Sequence, residues 1–310
     1  EPKFHRIVKE GLDGYDLSVL GQTIDLDANG AGSDIGESGN DLEIDSSRGS
    51  PPLTLDQDGD DVGLEATDNI WLTETTSYLR LVLAHTYEGD IVLTVRESAA
   101  LDEHFQLIDS GEARFAESTS RDPGNHPDAQ RAVPNGQVFA EAGSVTLLVG
   151  DNVDLDANSE ILAAEGIVIR GDNANADAGH GTNMNLRGRI IAGANVTPGS
   201  QIGGSPVGSA IPTYTAPAHL TQIFGHTDVD TINFGDPSGA AGGTTQGDDG
   251  FIFLGSKSRV YGSASTLAGA NDGEDRMTVY FLQDTATVTS PAQLALLTAL
   301  GRAAAQHTLT

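Results

Sequence analysis

At 310 residues the chain is long enough for about two domains or one extended β architecture, and 45 acids against 16 bases leave a formal charge of -29. Such a field repels nucleic acid and anionic membranes and attracts cations, so neither nucleic acid nor a membrane is an expected partner. With no Cys, disulfides, cysteine–zinc sites and thiol catalysis are excluded, and no apolar run is long enough to span a membrane.

Thirty of the acids are Asp, a residue that bonds its own backbone in turns, and 38 Gly is about 12% against a usual ~7%. One Trp and few other aromatics favour a thin core of Val, Ile, Leu and Ala. The chain opens at Glu1-Pro2-Lys3 without an initiator Met and reads as a processed product or a piece of a longer polypeptide.

Residues 1–54 are rich in Asp and Gly, with short strands expected at Ile24, Leu26, Leu42 and Ile44 between acidic turns. Asn69–Thr75, Tyr78–Ala84 and Ile91–Val95 are the strongest strand signals, separated by short turns. Over 97–142 the prolines and Pro134-Asn135-Gly136 break the rhythm. An excursion that returns near Val138 is expected there, with a short helix near Leu101–Leu107.

From residue 143 onward short apolar pieces recur: Val145–Val149, Ile167–Ile169 and Leu186–Ile191, roughly 20 residues apart. After a second proline-rich insertion near 196–218, three Gly/Asp turns lead into strands containing Ile232, Ile252 and Val279. No such short coil buries its own apolar row, but stacked coils do. The expected fold is all-β: a right-handed parallel β-helix (solenoid) over 55–289, preceded by the acidic segment 1–54. Ser290-Pro291 before an Ala/Leu run marks a short helix and tail over 290–310.

Carboxylates on alternate residues near Gly or Asn suit a hard cation such as Ca2+, which takes about 6–8 oxygen ligands. Asp25, Asp27 and Asn29 match the first alternating ligands of an EF-type loop, with Gly30 at the turn. Gly36 stands where the bidentate Glu belongs, which leaves a looser calcium turn or an ordinary acidic turn. Asp56, Asp58, Asp60 and Asp61 form a denser knot. Asp154, Asp156 and Asn158 repeat the first motif, as ligands or as outward residues of a strand whose Val153 and Leu155 point inward. Asp172 and Asp177 frame a cation loop or an Asn-rich corner, and Asp228, Asp230, Asp248 and Asp249 sit in the later turns. Asn195-Val196-Thr197 is a glycosylation sequon by pattern.

Gly150–Ala164, Gly166–Asp172 and Leu186–Gly193 resemble coils of filamentous-haemagglutinin-type β-helices. Asp68–Glu97 and the Asp/Gly units of 225–282 are similar to modules of very large bacterial calcium-binding, adhesin-like surface proteins. The resemblance implies export, an extracellular or cell-surface location, calcium in the turns and an adhesive or matrix-building role. The expected partners are copies of the chain, adjacent modules of a longer chain, or a surface polysaccharide. The alternative is a polysaccharide lyase or hydrolase on a β-helix scaffold, with Asp172, Asp177, Arg187 and Arg189 forming its groove.

Overall fold

The computed structural model describes residues 18–21, 24–28, 30–46, 61–99, 103–108, 136–156, 159–174, 176–177, 179–193, 220–225, 228, 230–234, 252–254, 258–261 and 276–279. Every regular element among them is a strand, and every pairing between strands is parallel. No helix among the described residues is long and apolar enough to cross a membrane.

The strands lie in two sheets. The first contains, side by side, β1 (Val19–Leu20), β3 (Leu42–Asp45), β5 (Ile70–Glu74), β7 (Ile91–Val95), β10 (Val145–Val149), β13 (Ile167–Arg170), β16 (Thr221–Phe224) and β19 (Ser258–Tyr261). The second starts with β2 (Ile24–Ala28), β4 (Asp61–Ala66) and β6 (Leu79–Thr86), then forks. Leu79–Leu81 of β6 pairs with β8 (Phe105–Leu107), and β11 (Val153–Leu155), β14 (Asn183–Leu186), β17 (Thr231–Phe234) and β20 (Arg276–Val279) follow on that side. Leu83–Thr86 of β6 pairs with β9 (Gln137–Ala140), and β12 (Glu160–Ala163), β15 (Gly188–Ala192) and β18 (Ile252–Leu254) follow on the other. The chain thus visits the first sheet, crosses to the second and returns, laying each strand beside its counterpart from the previous course.

Sequence pattern explains the two kinds of strand. In the first sheet β7 and β10 alternate, with Ile91, Leu93, Val95, Val145, Leu147 and Val149 buried and the residues between them half-buried. Register places Ile70, Ile91, Val145 and Ile167 in one inward column and Leu72, Leu93, Leu147 and Ile169 in the next. These β-branched and Leu columns face Phe105, Leu107, Val153, Leu155 and Met184 of the second sheet within one continuous core. Each fully buried aliphatic side chain contributes about 1.5–3 kcal/mol. By contrast β6, β9 and β12 are buried on both faces, which is why they read as unbroken apolar or mixed runs rather than alternations.

Several expectations are corrected. The described part of the stretch expected to be a helix near Leu101–Leu107 is not helical: Phe105–Leu107 is β8, because Phe105 and Leu107 fill the inward columns beside Leu79 and Leu81. The regular spacing also misassigned equivalence. Val145 and Ile167 are true counterparts, but Leu186–Ile191 belongs to two strands of the other sheet. Ile232 pairs with Met277, not with the Ile252 strand twenty residues on, because apolar strands recur within a course as well as between courses. The helix expected over 290–310 and the sequon at Asn195 lie outside the described residues.

Candidate metal centre

The site forms where the chain leaves the first sheet for the second. Among the described residues, successive corners stack here: 96–99 after β7, 150–152 after β10, 171–174 after β13, and Asp228 and Asp230 before β17. A polar column fixes them, with Glu103, Asp151, Thr182 and Asp230 all buried. Asp151 Oδ2 accepts the Glu103 amide at 2.8 Å, and Asp230 Oδ1 accepts the Thr182 amide at 2.9 Å. Thr182 Oγ1 donates to the Asp151 carbonyl at 2.6 Å, and the Asn173 amide donates to the Val149 carbonyl at 2.9 Å. Buried backbone groups that the turn leaves unpaired in the ladder are satisfied this way.

Beside this column Glu97, Asp172 and Asp177 each bring a carboxylate oxygen within 4.8 Å of the other two. They come from courses that are not adjacent. Glu97 follows β7, while Asp172 and Asp177 follow β13, with β10 between them. Parallel strands stand about 4.8 Å apart, so the carboxylates reach across a gap of two spacings. Gly150, in the middle course, leaves that gap open: a Cβ there would lie 2.9 Å from Glu97 Oε2 and 2.7 Å from Glu103 Cβ. Asp172 and Ala174 adopt positive φ of 46° and 99°, which turns the segment back over the corner. Burial, then the neighbouring Asp151, Asp177, Asp172 and Glu103, push the Glu97 carboxyl up to about 8. Converging hard oxygen donors are a calcium-type ligand set.

Asp172 and Asp177 are thus brought together, Asp228 and Asp230 stand at the same stack of corners, and five other sequence candidates are placed elsewhere. Asp25 and Asp27 stand on the exposed face of β2 and not in a turn, because Ile24, Leu26 and Ala28 take the other face. Asp61 opens β4 with its carboxylate 3.2 Å from Arg80 Nε. Asp154 lies on β11 between the buried Val153 and Leu155, and accepts Asn185 Nδ2 at 2.7 Å. Asp156 lies 4.0 Å from Arg187 Nη2. Asp228 Oδ2 accepts the Gly179 amide at 2.8 Å and so holds the loop that carries Asp177. Asn29, Asp56, Asp58, Asp60, Asn158, Asp248 and Asp249 lie outside the described residues.

The four residues of the enzyme alternative do not converge. Arg187 Nε donates to the Leu155 carbonyl at 2.9 Å, and Arg189 pairs with Glu160. Both lie beyond the far end of β14 from Asp172 and Asp177. Glu97, Glu103 and Asp151 were missed by sequence reading. The signal was present: aligning Val95 with Val149 puts Glu97 level with Asp151, at the same corner one course apart.

A second polar cluster is buried on the outer face of the forked sheet. His85 lies between Glu141 Oε1, 2.9 Å from Nε2, and Glu65 Oε1, 3.4 Å from Nδ1, with its ring stacked on Phe139. Burial opposes its charge, but Glu141 and Glu65 outweigh that and hold its pKa above the ordinary value. Comparison with family models, curated proteins and solved structures finds no match for the chain.

Proposed function

We propose that the chain is a non-catalytic structural or adhesive module of the cell surface or extracellular matrix. In this reading the courses wind as a right-handed parallel β-helix of the filamentous-haemagglutinin type, stiffened by calcium at acidic corners. The observation that carries the reading is the investment of polar residues in the stack itself. At the start of the first sheet, Asp34 Oδ1 accepts the Asn69 amide, Asn69 Oδ1 accepts the Asp90 amide, and Asp90 Oδ1 accepts the Ser144 amide, at 2.7–2.8 Å. On the outer face Asp154, Asn185 and Asn233 form a second ladder. Such columns tie each course to the next and suit a rod that carries load or spaces a binding surface.

The module works end to end with copies of itself or with adjoining modules of a longer chain. Among the described residues, β1 and β2 each pair on one side only, and open strand edges invite pairing. Calcium at a junction offsets repulsion between bodies of charge -29. Electron microscopy of the protein as isolated from cells, with calcium and with chelator, tests this. Filaments or strings of rods containing this chain are expected. Single compact particles at high concentration with calcium, together with turnover of a polysaccharide that is lost in Asp172→Asn, would replace it with the enzyme.

A further inference from the structure

We infer that Glu97, Asp172 and Asp177 form a divalent-cation staple that joins two courses across the one between them. This rests on the reading of the chain as a calcium-stiffened module and gives that reading a location.

Clustering of acids alone does not carry the inference; the state of two of them does. The Asp177 side chain is only 6% exposed, and it is aimed at Glu97 and Asp172. Its Oδ2 accepts no hydrogen bond. The nearest basic atom, His180 Nδ1, is 3.7 Å away and lies 3.0 Å from the Asp177 carbonyl. A carbonyl only accepts, so that nitrogen directs its proton to the carbonyl and leaves Oδ2 unserved. Glu97 has both carboxylate oxygens shut off from solvent, and neither accepts a hydrogen bond. Buried carboxylate oxygens without donors cost free energy unless a proton or a cation meets them, and a divalent ion that binds there displaces the proton.

The ligand's chemistry follows from the donors. All are carboxylate oxygens, which select hard ions over zinc or copper. A separation of at most 4.8 Å suits an ion with bonds of about 2.4 Å to oxygens on opposite sides. Gly150 provides the passage, since any side chain there would occupy the space of the Glu97 carboxylate. The ion would tie β7 to β13 over β10, a connection the strand ladder cannot make because it joins only neighbours.

The test is calorimetric titration of calcium chloride into the full chain, with magnesium chloride as a second titrant, alongside melting curves in calcium and in chelator. The variants are Glu97→Gln, Asp177→Asn and, as a reference, the exposed Glu37→Gln. Wild type and Glu37→Gln should bind calcium and melt several degrees higher with it. Glu97→Gln and Asp177→Asn should each bind at least about tenfold more weakly and lose most of that rise, since a lost ligand weakens an all-oxygen site. In chelator both should melt close to or above wild type, because each replaces a carboxyl whose charged form burial and its acidic neighbours disfavour with a neutral amide of the same size, which shows that they fold. Calcium binding that both variants retain unchanged would overturn the staple while sparing calcium stiffening by other turns. No binding by wild type at millimolar calcium would overturn both.

Discussion

Replacing Glu74 by Gln isolates the protonation of one core carboxyl. Glu74 ends β5 in the inward column that holds Ile44 and Val95 in the neighbouring courses, and it is fully buried. Ser46 Oγ donates to it at 2.6 Å, and the Ser46 amide at 3.1 Å, which favours the carboxylate; burial outweighs both and raises its pKa from 4.5 to about 8. Between those two values the unfolded chain has released this proton while the folded chain keeps it. The unfolded state therefore binds fewer protons, and stability falls as pH rises. The loss approaches ~1.4 kcal/mol per pH unit, reaches about 5 kcal/mol as an upper bound once the folded group also ionises, and vanishes below pH 4.5. Gln keeps an acceptor for Ser46 and has no proton to lose. Urea unfolding of both proteins without calcium, from pH 4 to 9, gives the difference curve, in which the similarly raised Glu97 cancels. Trp71, the single Trp, lies on β5 itself and reports the opening of that course. The variant should gain on wild type steadily from about pH 5 to about pH 8 and then level off, as the linkage requires. A flat difference across that window would mean that Glu74 ionises like a surface group, and would refute the argument that it is buried and neutral.

Further outcomes follow from other positions. Leu93→Ala, in the middle of the fully buried first-sheet column, should cost about 2–5 kcal/mol in the same assay. Asp90→Ala removes the acceptor of the Ser144 amide and should cost about 1–2 kcal/mol, with faster hydrogen exchange at Ser144 as its local signature. Gly36→Ala should destabilise by at least about 2 kcal/mol: φ is 76°, and the new methyl would meet the Trp71 carbonyl at 2.1 Å and the Leu42 amide at 2.7 Å, both backbone. His85 should titrate by NMR above its ordinary value, so its ion-pair contribution is complete below about pH 6.5 and is lost as pH rises through the folded pKa. A His85 that titrates below 6.5 would mean that burial defeats Glu141 and Glu65.

The fold was legible where one face of a strand meets water. The alternation at Ile91–Val95 and Val145–Val149 identifies half-buried strands directly, and the two proved to be register partners. It was illegible where a strand is very short, although the doubly covered β6 was legible from its long apolar run. Phe105-Gln106-Leu107 carries too few residues to separate strand from helix, and only its columns with Leu79 and Leu81 decide the matter. The candidate site was half legible. Asp172 and Asp177 belong to one visible acidic loop, whereas Glu97 lies 75 residues before Asp172 and joins them only through the stacking of courses.

Composition, the lack of Cys and the period-2 patterning by themselves determined an acidic, disulfide-free β protein whose short strands must stack to bury their apolar rows. These are local properties, since charge and alternation are set by each residue and its near neighbours. Only the tertiary structure decided which strands are counterparts, which acids face solvent on β2, and which three meet across Gly150. Those outcomes depend on register between courses separated by long and unequal connections. A shift of one residue in any course would exchange its two faces and carry Glu97 away from Asp172 and Asp177.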